Sequence, residues 1–181
     1  MIRTRVGYTG GKKKKPTYHN LGDHTEAIQI DYDPTRISYE ELLDIFWESH
    51  NPAISSWSRQ YMSAVYFHNE EQKRLAIDTK NSEEAKHKGK IYTEIVPASK
   101  FYTAEGYHQK YLLRQRPALM KELNVLYPAT EDFVNSTAAA RINGYLGGYR
   151  TLTALEAELN TLNLPPETNK KLLDILGKLN R

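Results

Sequence analysis

DHTEAIQIDYDP (Asp23–Pro34) runs almost directly into ISYEELLDIFWESHNP (Ile37–Pro52), and the two segments read with different periods. In the first, Ala27, Gln29 and Asp31 alternate with Ile28, Ile30 and Tyr32, the period of a strand over Thr25–Tyr32. Asp33-Pro34 ends it, because proline lacks the N–H donor and forces its predecessor out of the helical region. In the second, Ser38-Tyr-Glu-Glu41 has the capping-box spacing, and Leu42, Leu43, Ile45 and Phe46 follow at helical intervals until Asn51-Pro52. His50 is placed to cap the last carbonyls of that helix. A strand followed at once by an amphipathic helix sets an α/β reading for this part of the chain.

Working outward, Ile2–Tyr8 alternates as a strand and Gly10-Gly11 breaks it ahead of the charged loop Lys12–Lys15. Met62–Phe67 and Ile91–Val96 read as further strands, with a helix capped by Asn69 between them. Phe101–Leu112 leads into another helix. From Arg114 onward Pro117–Leu126, Thr130–Ile142, Thr151–Leu162 and Pro165–Leu179 all read as helices, and no strand candidate appears. The expected organisation is a mixed α/β half over residues 1–113 and a helical extension over 114–181. In that extension Leu119, Met120, Leu123 and Leu126 are read as packing residues.

Composition narrows the chemistry. The 181 residues contain no cysteine, which removes disulfides, thiolate metal sites and any thiol nucleophile from this chain. With 25 Lys+Arg against 22 Asp+Glu the net charge is +3, too small to argue for nucleic acid, and the four-lysine run reads as a solvated loop. No apolar run is long enough to span a membrane, and the N-terminus has no secretory h-region, so a cytoplasmic location is the expectation. His24 and His108 have no surrounding ligand pattern, so no metal is assigned.

Four segments place polar and aromatic groups where packing does not ask for them. GYTGG (Gly7–Gly11) with PTY (Pro16–Tyr18) is a loop with two tyrosines. GDHTEA (Gly22–Ala27) holds His24 and Glu26, expected on one face of a strand at i and i+2. SRQYMSA (Ser58–Ala64) carries Tyr61, and FYTAEGYHQKYL (Phe101–Leu112) gathers Tyr102, Glu105, Tyr107, His108 and Tyr111. In this order and spacing, over roughly residues 3–113, the chain resembles the A-type peptide methionine sulfoxide reductases, the MsrA family.

The resemblance implies a two-layer α+β domain with a central mixed sheet and flanking helices. It also implies reduction of the S epimer of methionine sulfoxide, in proteins or free. In that family a cysteine thiolate attacks the sulfoxide sulfur, methionine leaves, and thiols clear the resulting sulfenic acid, usually through a resolving cysteine and a thioredoxin-type reductant. Carried onto this chain, Glu26 matches the carboxylic acid that protonates the sulfoxide oxygen, a role suited to a carboxyl kept protonated by burial. Tyr18 and Tyr61 match the two phenols that hydrogen-bond the same oxygen, and His108 of the YHQ motif supports the pocket. The implied partners are oxidised methionine and a thiol reductant; no bound cofactor, metal, nucleic acid or membrane is expected.

The family's Gly-Cys-Phe-Trp-Gly motif does not occur among the 181 residues, and the strand and helix that go with it are expected to be missing. Ser55-Ser56-Trp57-Ser58 stands in a shortened loop where many members carry an aspartate. Asn143-Gly-Tyr-Leu-Gly-Gly148 is similar to the family's C-terminal Asn-Gly-Tyr-Cys-Gly run, with Leu146 at the cysteine position. Two readings stay open. Either the nucleophile is encoded upstream of Met1, behind an internal start or a UGA read as selenocysteine, or the chain is an inactive relative that binds methionine sulfoxide or another protein.

Overall fold

The computed structural model describes residues 2–149 and 151–179. In chain order the elements are β1 (Arg3–Thr9), β2 (Thr25–Asp31), α1 (Tyr39–Glu48), β3 (Ala64–Phe67), α2 (Glu70–His87), β4 (Glu94–Pro97), β5 (Tyr102–Thr103), α3 (Tyr111–Arg114), α4 (Pro117–Leu126), α5 (Thr130–Asn135), α6 (Thr137–Leu146), α7 (Leu152–Glu158) and α8 (Pro166–Leu179). Short 3-10 turns lie at Arg59–Tyr61, Gly106–His108 and Leu159–Leu162. The mixed α/β class is as the sequence predicts. The strands divide between two small sheets: a three-stranded one in the order β2-β1-β5 and a parallel pair of β3 with β4. No helix among the described residues is long and apolar enough to cross a membrane.

The chain packs as two compact units, one of residues 6–28 and 32–104 and the other of the described parts of 1–5, 29–31 and 105–181. In the first unit, α1 forms for the reason its sequence gives. Ser38 accepts the Glu41 N–H at 3.1 Å, and the Glu41 carboxylate accepts the Ser38 N–H at 2.7 Å. The Ser38 N–H first, and then the Ser38 hydroxyl, hold the Glu41 carboxyl below its ordinary range. His50 donates from Nδ1 to the Phe46 carbonyl at 2.8 Å, the helix-end contact the sequence suggests. Its Nε2 then accepts the Ser63 hydroxyl at 2.8 Å, which ties the end of α1 to the approach to β3. Leu43 and Trp47 of α1, one helical turn apart, pack with Ala76 of α2 and Ile91 into one core.

The second unit is held by a larger apolar cluster. Leu113, Leu119, Leu123, Ile142, Leu155 and Leu172 are fully buried in it, each contributing about 1.5–3 kcal/mol by leaving water. The α8 contribution is the i, i+4 pair Leu172 and Leu176. Leu146, which the resemblance sets at a cysteine position, is an apolar member of this core. Leu119 and Leu123 lie in this cluster as expected, whereas Leu126, 37% exposed, is outside it.

Three elements differ from expectation for local reasons. The strand expected from Ile91 begins only at Glu94, because the Tyr92 N–H is taken by the Pro52 carbonyl at 2.9 Å and not by a strand. The helix expected after Phe101 is split, because Lys110 adopts a left-handed φ of 51°, which stops the preceding turn and lets α3 start afresh. The helix expected over Thr130–Ile142 breaks at Ser136, whose extended backbone ends α5 while its hydroxyl accepts the Ala139 N–H and caps α6.

Candidate functional site

The GYTGG loop is shaped by what its backbone must approach. Gly10 has φ +81°, and a Cβ there would meet the Tyr66 hydroxyl at 2.6 Å. A Cβ on Gly11 would meet the Asp23 carboxylate and the His24 backbone at 2.6–2.7 Å. That close approach lets the Gly11 N–H donate to His24 Nδ1 at 3.2 Å, so the ring proton sits on Nε2 and is donated to the Lys13 carbonyl at 2.8 Å. The Asp23 carboxylate accepts the Lys12 N–H at 2.9 Å and the Lys13 N–H at 3.2 Å, which holds its acidity stronger than usual. The lysine loop is thus a backbone clamp.

His24 is therefore structural. The sequence places it on the same strand face as Glu26, but it is buried while Glu26 is exposed. The reason is that β2 starts at Thr25: His24 lies in the preceding loop, where strand alternation does not apply. Glu26 and Ile28 point outward from β2, and Thr25 points in. The burial expected of Glu26 is accordingly not found.

Thr25 decides what Glu26 meets. Its buried hydroxyl donates to the Arg59 carbonyl at 3.0 Å, and the Arg59 side chain donates from Nε to the Asp23 carbonyl at 2.9 Å. These two bonds lay the 3-10 turn Arg59–Tyr61 beside the start of β2. The next residue, Gln60, then donates from Nε2 to Glu26 Oε1 at 2.6 Å and to the Tyr61 hydroxyl at 3.1 Å. Tyr61 also shares a hydrogen bond with the Tyr18 phenol; that bond is the main cause, ahead of desolvation and the nearby Glu26 charge, that raises its pKa above the ordinary 10. Tyr18 is set by the tight turn in which the Thr17 and Asn20 backbones bond each other, and it packs on the cluster of Tyr8, Leu21 and Ala104.

The structure thus brings together three of the four residues singled out in the sequence. Gln60, which sequence reasoning missed, joins Glu26 to Tyr61, and Tyr61 in turn bonds Tyr18, so the three form one hydrogen-bonded group. The signal for Gln60 was only its place beside Tyr61 in SRQYMSA. His108 belongs to the other unit, where it follows Tyr107 ring against ring at 4.2 Å and its N–H bonds the Glu105 carbonyl. Among the described residues no group of His, Asp and Glu could hold a metal ion.

In this α/β protein a carboxyl and one phenol are bound to one amide at the edge of a small sheet, and a second phenol is bound to the first. Residues 1–142 match the family model for peptide methionine sulfoxide reductase, and residues 129–171 match that for the helical domain of selenoprotein methionine sulfoxide reductase A. A peptide methionine sulfoxide reductase of Drosophila melanogaster is 42% identical over 92% of this chain and 67% of its own length. Peptide methionine sulfoxide reductase A5 of Oryza sativa is 38% identical over 98% of this chain and 68% of its own. Among solved structures, Mxr1 of Saccharomyces cerevisiae in reduced form superposes with a TM-score of 0.58 at 31% identity, covering 63% of this chain and 71% of that one. The chain belongs to the peptide methionine sulfoxide reductase family, a family of thiol-dependent reductases that need no metal.

Proposed function

We propose that the Glu26–Gln60–Tyr61–Tyr18 group receives the oxygen of methionine S-sulfoxide, in proteins or free. The observation that carries this reading is the single hydrogen-bonded group itself, which converges from three separate segments of a chain in this family. Tyr61 and Tyr18 donate to the oxygen without bringing charge, and Tyr61 remains a donor to a higher pH than an ordinary phenol. Glu26 delivers the proton as the S–O bond breaks. A thiolate or selenolate attacking the sulfur takes the oxygen as a sulfenic or selenenic acid, and methionine leaves with the electron pair of the broken bond.

The 181 residues hold no thiol, so that nucleophile comes from outside them. A selenol is favoured by the helical-domain model, whose family is described as a selenoprotein. Clearance of the oxidised nucleophile falls to a thioredoxin-type reductant, or to dithiothreitol in the assay, and the reaction is placed in the cytoplasm. The residues present here therefore bind without turnover. DNA encoding a selenocysteine or cysteine motif ahead of the Met1 codon, or an intact mass of the natural protein above 20.9 kDa, distinguishes a working reductase from a binding relative.

The test of the site is calorimetric titration with N-acetyl-L-methionine-S-sulfoxide methylamide. The wild-type chain is expected to bind it, and Glu26→Gln or Tyr61→Phe to weaken binding about fivefold each, the worth of one hydrogen bond to a polar oxygen. Affinities equal to wild type in both variants overturn the reading.

A further inference from the structure

The loop Lys12–Lys15 carries charge that the fold does not use. Its backbone is fixed: the Asp23 carboxylate accepts the Lys12 and Lys13 N–H groups, and His24 donates to the Lys13 carbonyl. Its ammoniums are held far less. Lys13 is tied by its side chain to Asn20. Lys12, Lys14 and Lys15 are exposed, and among the described residues none of the three forms an ion pair. Lys15 also holds a left-handed φ of 51°, a conformation ordinarily left to glycine or asparagine, so a cation stands where a turn would take an uncharged residue. Four like charges at consecutive positions repel one another, and pinning the backbone keeps them together.

Arg59 adds to the same field. Its side chain donates to the Asp23 carbonyl at 2.9 Å and the Gly10 carbonyl at 3.5 Å, and both acceptors are neutral, so its charge is also left over. The carboxylates beside these cations are already engaged, Asp23 by the two loop N–H groups and Glu26 by Gln60. The cations border the oxygen group at two points. Arg59 directly precedes Gln60, and Lys15 lies three residues before Tyr18, at most about 11 Å of backbone. An extended peptide covers that distance in about three residues, so a carboxylate so placed beside a methionine sulfoxide seated at Tyr61 and Tyr18 reaches the lysine ammoniums.

Resting on the reading of the oxygen site above, we propose that Lys12, Lys14, Lys15 and Arg59 form a docking rim for acidic polypeptide, so that the favoured substrate is a methionine sulfoxide flanked by Asp or Glu in a protein chain. The rim touches the flanking carboxylates and takes no part in proton transfer. With a net charge of only +3 the chain as a whole has little general attraction for polyanions, so the selection belongs to this rim. Exposed ion pairs are individually weak and screened by salt, so the preference is the joint effect of several and fades as ionic strength rises.

The experiment is calorimetric titration of blocked peptides that carry methionine S-sulfoxide between runs of Glu, Gln or Lys, with the unoxidised peptides as controls. At about 20 mM salt the wild-type chain is expected to bind the Glu-flanked sulfoxide about tenfold more tightly than the Gln-flanked one, and at about 500 mM salt the two are expected to agree. The triple variant Lys12→Gln, Lys14→Gln, Lys15→Gln is expected to bring the Glu-flanked peptide down to the Gln-flanked level. Lys121→Gln, Lys170→Gln, Lys178→Gln removes the same charge from exposed positions elsewhere and is expected to keep the preference. Thermal midpoints are expected to agree, because the loop is held by its backbone. Glu- and Gln-flanked sulfoxides bound equally at low salt, or a preference that survives the loop variant, overturn the rim; Glu26→Gln still weakening both peptides then leaves the oxygen site standing. Sulfoxide peptides that bind no better than their unoxidised forms overturn both. A single-stranded oligodeoxynucleotide that displaces the Glu-flanked peptide and binds more tightly overturns the proposal in favour of nucleic acid.

Discussion

Replacing Lys110 with methionine removes an ammonium that is only 5% exposed. Its Nζ donates to the Thr4 carbonyl at 2.5 Å, the Thr4 hydroxyl at 3.2 Å and the Val134 carbonyl at 3.0 Å, binding β1 to the end of α5 within one compact unit. Burial, and then repulsion from Arg5 on β1 and Arg114 on α3, lowers its pKa from 10.5 to about 8. Between those values the unfolded chain binds the proton that the folded chain has released, so stability rises with pH across that window. The cost of burying the charge is fully present below about pH 8 and fades toward the unfolded value. From about pH 7 to about pH 9.5, the single-site linkage relation with these two pKa values gives a gain of about 2 kcal/mol. Tyr39, held by burial at about 12, and Tyr61, also raised, act with the opposite sign, but only above their ordinary value of 10. The assay is urea denaturation followed by circular dichroism at half-unit pH steps over that range. Wild type is expected to gain about 2 kcal/mol relative to Lys110→Met across the series. Parallel pH profiles for the two proteins refute the buried-ammonium argument, as does a wild-type stability that falls over the window.

Three further outcomes follow from named contacts. Ser38→Ala removes the acceptor of the Glu41 N–H and is expected to cost about 1 kcal/mol in the same denaturation assay, where an unchanged midpoint counts against the cap. Thr25→Val leaves the Arg59 carbonyl without its buried donor and is expected to cost about 1–3 kcal/mol. It should also weaken sulfoxide binding through the Gln60 contact, and calorimetry showing full affinity contradicts that coupling. Tyr61 is expected to ionise above the ordinary phenol range and to move back toward it in Tyr18→Phe, measured as the difference in ultraviolet titration between each protein and its Tyr61→Phe counterpart; no movement removes the Tyr18–Tyr61 hydrogen bond as the cause.

The sequence by itself determined the elements whose causes are local. Ser38 with Glu41, and Asn69 with Gln72, carry their caps within three residues, and α1 and α2 start where those caps say. The order of the motifs gave the family and named Glu26, Tyr61 and Tyr18. Tertiary structure alone decided how those residues meet. The Thr25–Arg59 and Gln60–Glu26 bonds each join positions 34 apart in the chain, and no local period records such a distance. The same holds for His24, whose burial depends on the backbone of Gly11 and Lys13, and for Lys110, whose left-handed backbone and three distant acceptors turn a motif residue into a clamp. Hydrogen bonds between distant segments depend on where loops bring the backbone, whereas caps and periods depend only on neighbours, so Glu26, Tyr61 and Tyr18 of the proposed site could be named from the chain, and Gln60 and the bonds that join them could not.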